Sequence, residues 1–162
     1  MRTPASIAGH PIHPMLVPIA IGGFILSFVF DVVRLASGTA EPWASAAYVT
    51  MIGGIVGALC AAVPGFIDLL SLPAGTTRKV GLTHMTINLT VVVLFIVNAW
   101  MRHVEAAVTG TPILLSAIGL GLLVVSGWLG GKMVFEAGVG VDAAAASPAT
   151  PARPAASRPA NT

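Results

Sequence analysis

The sequence predicts an all-α, polytopic membrane protein whose four transmembrane helices form an antiparallel bundle. Four apolar runs are long enough to cross a hydrocarbon core, which takes roughly 20 residues of helix. Only 9% of the 162 residues are charged and 56% are hydrophobic, whereas a soluble domain carries about 25% charged residues. The connections between the runs are short, so successive helices are expected to run antiparallel and to pack side by side.

The predicted spans cover residues 14–34, 43–70, 81–101 and 111–131. Helices are expected rather than barrel strands, because the runs are too long and too uniformly apolar for strands and because open sheet edges cannot face lipid. Pro14 and Pro112 agree with these boundaries, since the first turn of a helix tolerates a missing N–H. Residues 1–141 are therefore predicted to form one transmembrane domain. Residues 142–162 have nothing apolar to bury, and we predict a disordered Ala- and Pro-rich tail.

Basic residues near the ends of the spans predict the orientation. One end holds Arg2, Arg78, Lys79 and Lys132, with Arg153 and Arg158 in the tail, and the other end holds Arg34 and Arg102. Because cytoplasmic loops carry an excess of lysine and arginine, both termini are predicted to lie in the cytoplasm. The lipid bilayer is the expected environment. The net charge of +2 is small and the basic residues are scattered, which argues against a nucleic-acid partner.

Histidine and aspartate residues at the predicted cytoplasmic end are the best candidates for chemistry. His10 and His13 stand between prolines before the first span, Asp68 lies near the end of the second span, and His84 lies near the start of the third. Ionisable groups at membrane depth are costly and are usually retained because they are used. With both termini inside, these residues come from three separate segments to one level of the bilayer.

One hypothesis for these residues is a cofactor or metal site. Neutral imidazole binds transition metals, and two imidazoles on different helices can hold a haem iron from both sides. In the haem form of this hypothesis, His13 and His84 are the axial ligands of haem b, and His10 or Asp68 interacts with these ligands rather than with the iron. Alternatively, His10, His13, Asp68 and His84 bind a transition metal such as Zn, Cu or Fe directly. A homo-oligomer or a separate redox partner protein is compatible with either form.

A polar seam along the third span supports a second hypothesis, a path for protons or a small solute. The seam includes His84, Asn88, Asn98 and Arg102. A third hypothesis is a structural scaffold, in which His13 caps the first helix, Asp68 binds His10 and His84, and the asparagines only join helices. Asp31 and Arg34 are spaced for a local pair on the first helix. The sequence shows no Ser/His/Asp set, no glycine-rich phosphate loop and only one cysteine. We therefore do not expect an enzyme with its own covalent chemistry.

Four motifs are spread along the chain. They are Gly-His-Pro-Ile-His-Pro at residues 9–14, Gly-Phe-Ile-Asp at 65–68 followed by Leu72-Pro73, Arg78 with the segment from His84 to Asn88, and the glycine-rich residues 130–141. Together they resemble a family of bacterial predicted membrane proteins, the domain of unknown function numbered twenty-two thirty-one. The resemblance covers about residues 9–141.

This resemblance implies a four-helix domain in the bacterial plasma (inner) membrane. It also places His10, His13, Asp68, His84 and Asn88 among the motif residues. Some members of the family resemble fusions to Rieske-type iron–sulfur domains, which implies a function in electron transfer or one that involves haem. The present chain has no Rieske Cys-His motifs, so an electron-transfer partner is expected to be a separate protein.

Overall fold

The computed structural model describes residues 1–104 and 110–141. It contains four long helices, which are α1 (Ile12–Ser37), α2 (Trp43–Ser71), α3 (Thr76–Val104) and α4 (Gly110–Phe135). Each helix includes its predicted span and is longer than that span. The predicted tail, residues 142–162, lies outside the described residues, as do residues 105–109.

All four helices are long and apolar enough to cross a membrane. Their outward faces are apolar as well, as Val124, Trp128 and Phe135 on α4 show with exposed fractions of 76%, 78% and 88%. Exposing such an apolar surface to water is unfavourable, whereas lipid tails are as apolar as these side chains and can cover it. The observed architecture is therefore the predicted one, an all-α bundle of transmembrane helices.

A short β-hairpin precedes the bundle, and the sequence did not predict it. Strands β1 (Ser6–Ile7) and β2 (His10–Pro11) pair antiparallel. The turn between them consists of Ala8 and Gly9, which have φ angles of 50° and 81°. Because β2 runs directly into α1, that helix begins two residues before Pro14. Pro14 still lies in the first turn, where its missing N–H has no partner to lose.

The bundle consists of two antiparallel helical hairpins, α1–α2 and α3–α4, which are packed more extensively within themselves than against each other. Glycines permit close contact inside each hairpin. A Cβ added at Gly54 of α2 would lie 2.8 Å from the ring of Phe24, and a Cβ at Gly119 of α4 would lie 2.7 Å from the ring of Phe95. Each phenylalanine ring therefore packs on a glycine of the partner helix.

Helices α1 and α3 run parallel and meet in three layers. His13 faces His84, Phe24 stacks on Phe95 with ring centroids 3.9 Å apart, and Asp31 binds Arg102. In every layer the two partners are separated by 71 positions along the chain. The residues that meet in these three layers therefore lie at the same spacing along α1 and along α3. The core lies along this contact and includes Ala20, Phe24, Met51, Ile55, Val91, Phe95 and Ala99.

Candidate functional site: a pair of anchored histidines

His13 is the second residue of α1, and its half-buried ring is held by α2. Its Nδ1 atom lies 2.8 Å from the carbonyl oxygen of Ala61. A carbonyl oxygen only accepts, so Nδ1 carries the hydrogen and donates it. The ring packs directly on Gly65, where an added Cβ would lie 2.6 Å from Nδ1. A larger residue at position 65 would push the imidazole away from its anchor.

His84 has the same arrangement in the second hairpin. Its Nδ1 atom lies 2.9 Å from the carbonyl oxygen of Ser126 on α4, so Nδ1 is again the donor. Ser126 Oγ is also 2.9 Å from Nδ1 and accepts a hydrogen bond of 2.7 Å from the side-chain amide of Asn88. Gly130 lies beside the ring, and a Cβ there would be 3.3 Å from Cε1. Asn88 therefore supports the serine that adjoins His84.

The two imidazoles meet between the hairpins. Their ring centroids are 6.2 Å apart and their planes are nearly perpendicular, at 86°. Because Nδ1 of each ring carries a hydrogen and donates it to a carbonyl oxygen, Nε2 is the nitrogen with the free lone pair in the neutral form. Within the part of the chain that the structure describes, neither Nε2 atom has a hydrogen-bond partner. Each ring therefore has one nitrogen, Nε2, that could bind a metal. A backbone carbonyl oxygen fixes the orientation of each ring through Nδ1.

His10 and Asp68 lie apart from this pair. His10 is exposed on β2, and its Nδ1 atom is 3.1 Å from the carbonyl oxygen of Ala8. The buried Asp68 accepts a hydrogen bond of 2.9 Å from the backbone N–H of Ala5 through Oδ1. Among the described residues, no three His, Cys, Asp or Glu side chains are grouped so as to hold a metal ion. The structure therefore does not assemble the four predicted ligands, because the N-terminal hairpin carries His10 outwards and Asp68 anchors that segment.

A second polar cluster lies at the opposite end of the bundle. Arg102 of α3 donates two hydrogen bonds, of 2.8 and 2.6 Å, to the two carboxylate oxygens of Asp31 on α1. Its Nε donates to Asn98 Oδ1 at 2.8 Å, and Asn98 donates to the carbonyl oxygen of Pro112 at 2.7 Å. The structure thus joins Asp31 to the polar seam of α3, a contact that the sequence did not predict.

An apolar layer separates the two polar clusters. Phe24, Val91 and Phe95 are buried to at least 99%, and the two phenylalanine rings stack between the histidine pair and the ion pair. Asn88 and Asn98 lie on opposite sides of this layer, and both bond to serines of α4. The predicted seam is thus divided into two groups of interhelical hydrogen bonds.

Neither a curated protein nor a solved structure matches this chain. A family model described as predicted membrane protein (DUF2231) matches residues 9–143. The matched region includes β2, all four helices and both anchored histidines. Because the match spans well over half of the sequence, the chain belongs to this family of predicted membrane proteins.

Proposed function

We propose that this protein is a membrane-embedded haem-binding subunit in which His13 and His84 are the axial ligands of a b-type haem. The observation that carries the proposal is the 6.2 Å separation of the two ring centroids. Imidazole nitrogens bind a transition metal at about 2.0–2.1 Å. Two imidazoles on opposite sides of one metal then have ring centres roughly 6 Å apart, given that bond length. The pair matches this spacing.

The hydrogen bonds of the two rings support the same assignment. A histidine that binds a metal normally donates its other ring N–H to a carboxylate or a backbone carbonyl, which fixes the tautomer and the ring orientation. His13 and His84 each donate through Nδ1 to a carbonyl oxygen, from Ala61 and Ser126 respectively. Each therefore offers Nε2 as the ligand atom. Since one ring is anchored in each hairpin, the proposed cofactor joins the two halves of the bundle.

The number of available ligands favours haem over a bare metal ion. Structural and catalytic zinc sites take three or four protein ligands, and no group of three such side chains exists in the described residues. The porphyrin of haem supplies four equatorial nitrogens, so the protein needs to supply only the axial ligands. Two histidines that stand without a third ligand fit this requirement.

The ligand set also indicates the chemistry. When bound, a haem with two histidine ligands supplies one-electron transfer, because neither axial position is open to oxygen or a substrate. The carbonyl oxygens of Ala61 and Ser126 hold the two ligands in place, and such hydrogen bonds to metal-binding histidines tune the reduction potential. We therefore propose an electron carrier rather than an enzyme, which works with a separate redox partner protein.

For the orientation, we propose a bacterial plasma membrane with both termini in the cytoplasm. Arg2, Arg78, Lys79 and Lys132 support it, because these basic residues lie at the end that carries the N-terminal hairpin and cytoplasmic ends are enriched in such residues. A reporter that folds only in the periplasm, fused after residue 141, tests it. An inactive periplasmic reporter together with an active cytoplasmic reporter supports the proposal, and the reverse result contradicts it.

Visible absorption spectra of the oxidised and reduced protein, purified in detergent from cells supplied with haem, test the function. We expect a Soret band that shifts on reduction and is lost in His13→Ala and His84→Ala. His103→Ala is the matched control, because His103 is an exposed histidine at the far end of α3, and it should retain the spectrum. A colourless protein with full haem supply would reject the haem site and leave the histidines as polar packing between the hairpins.

A further inference from the structure

A cavity of about 270 Å³ lies away from the histidine pair, between the start of α3 and the end of α4. The first turn of α3 contributes Thr76 and Thr77, which carry hydroxyl groups. The end of α4 contributes Lys132 and, just after the helix, Glu136. None of these four residues is buried, so a ligand from outside the protein has access to their polar groups.

Lys132 and Glu136 bring opposite charges to this cavity and hold each other only loosely. Lys132 Nζ lies 3.7 Å from Glu136 Oε2, which is longer than a direct hydrogen bond. Their side chains are 47% and 67% exposed, and exposed ion pairs contribute little to stability. The ammonium group therefore keeps donors, and the carboxylate keeps acceptors, for a ligand that carries both charges.

The cavity lies at the surface of the membrane. Both helices are long and apolar enough to cross a bilayer, and α3 begins and α4 ends beside the cavity. Its polar groups therefore lie at the level of the lipid headgroups. Val80 and Met133 also line the cavity, and the adjoining Phe135 is 88% exposed. A lipid fits this combination, because its acyl chains cover the apolar surface next to its headgroup.

We propose that this cavity binds the headgroup of phosphatidylethanolamine. The phosphate accepts hydrogen bonds from Lys132 and from the hydroxyl groups of Thr76 and Thr77. The ammonium group of the lipid donates to the carboxylate of Glu136, and such charge-assisted hydrogen bonds are the strong ones. Phosphatidylglycerol has no cation for Glu136, and the quaternary ammonium of phosphatidylcholine has no N–H to donate. The acidic residue therefore selects the ethanolamine headgroup.

Native mass spectrometry of the full chain in detergent, titrated with lipids of identical acyl chains, tests this selection. Glu136→Gln should weaken binding of phosphatidylethanolamine roughly tenfold, because a hydrogen bond between charged groups is lost. It should not weaken binding of phosphatidylglycerol or phosphatidylcholine. Glu41→Gln is the matched control, since Glu41 is exposed at the other end of the bundle. Equal weakening for all three lipids, or no weakening for phosphatidylethanolamine, would overturn the proposal.

Lys132→Gln tests the contact with the phosphate. It should weaken binding of phosphatidylethanolamine by a similar factor of roughly ten, since the lysine donates to a charged oxygen. Lys79→Gln is the matched control, because Lys79 is an exposed lysine at the same end of the bundle but outside the cavity. Equal losses in both variants would show general charge attraction and contradict a built site.

Thermal unfolding distinguishes the lipid from a soluble ligand with the same charged groups. Phosphatidylethanolamine should raise the Tm of the wild-type chain by binding to its folded state, and the increase should be smaller in Glu136→Gln. O-phosphoethanolamine at the same concentration should give no increase, because it has no acyl chains. An equal increase would assign the cavity to a soluble ligand and contradict the lipid site. Haem content has no part in either measurement, so their outcome is independent of the proposed function.

Discussion

Asp31 and Arg102 form a two-point ion pair across the bundle, with N–O distances of 2.8 and 2.6 Å between the guanidinium and the carboxylate. Asp31 is fully buried and the Arg102 side chain is only 2% exposed. Neither charge has access to water, so each depends on the other for stabilisation. The pair fixes the rotation of α1 against α3 at the end of the bundle opposite the histidines.

Removing one partner of this pair should therefore be strongly destabilising. We expect Arg102→Met to lower the free energy of unfolding by about 3–5 kcal/mol, because it removes two charged hydrogen bonds from the buried carboxylate of Asp31. Glu136→Gln is the control, since it breaks the exposed Lys132–Glu136 pair of α4 and should cost less than about 1 kcal/mol. Denaturant unfolding in mixed micelles measures both. A loss in Arg102→Met as small as that of the control would show that the ion pair does not hold the helices.

The glycine beneath His13 provides a test of the site that leaves both histidines in place. Gly65→Ala should abolish or shift the haem spectrum, because the new Cβ would lie 2.6 Å from His13 Nδ1 and displace the ring from Ala61. Gly130→Ala should have a weaker effect, since its Cβ would lie 3.3 Å from the His84 ring. Absorption spectra and reduction potentials measure the change.

Gly127→Ala is the matched control for these glycine variants. Gly127 is exposed on α4, and a Cβ there meets no atom within 4 Å. This variant should keep the wild-type spectrum and potential. If Gly65→Ala behaved like Gly127→Ala, the close contact between Gly65 and His13 would have no bearing on the cofactor, and the fixed orientation of the His13 ring would no longer support its axial role.

The division of the polar seam separates the haem proposal from a transport path. Asn98→Leu should destabilise the protein, because the carbonyl oxygen of Pro112 and the Arg102 side chain each lose a hydrogen-bond partner. It should keep the haem spectrum, since the Phe24–Phe95 layer lies between Asn98 and the histidines. Proton leakage measured in vesicles should be the same in Asn98→Leu and wild type. Equal loss of proton flux in Asn98→Leu and His84→Ala would support a continuous path instead.

The helices were predictable from sequence because four long apolar runs have no alternative in lipid. The hydrogen-bond partners of the polar residues could not be predicted in the same way, because they depend on how each helix is rotated about its axis. Asp31 illustrates this, because its partner Arg102 lies 71 positions away in the sequence and on another helix. A signal for the pairing was present nonetheless. His13 and Phe24 recur as His84 and Phe95, and Asp31 and Arg102 stand at the same spacing, which is consistent with the two histidines lying at one height.

The short N-terminal hairpin was missed for a related reason. Its strands are two residues each, too short for a periodic pattern, and the tertiary contact between Ala5 and Asp68 holds the segment in place. Sequence reasoning grouped His10 with His13 because both precede a proline. The hairpin ends between them and turns the first outwards and the second into the bundle.

Variants of His10 and Asp68 distinguish a two-histidine site from the four-ligand metal site. His10→Ala should leave the haem spectrum and the bound-metal content unchanged, because His10 is exposed and bonds only to Ala8 within the described chain. Asp68→Leu should lower stability by about 1–3 kcal/mol, since the buried N–H of Ala5 loses its acceptor, while the spectrum remains. Asp68→Asn is the control that keeps an acceptor oxygen and should be milder. Metal analysis by mass spectrometry completes the test. If His10→Ala and Asp68→Leu each removed a bound transition metal along with His13→Ala, the four residues would act as one ligand set, and the two-histidine assignment would be wrong.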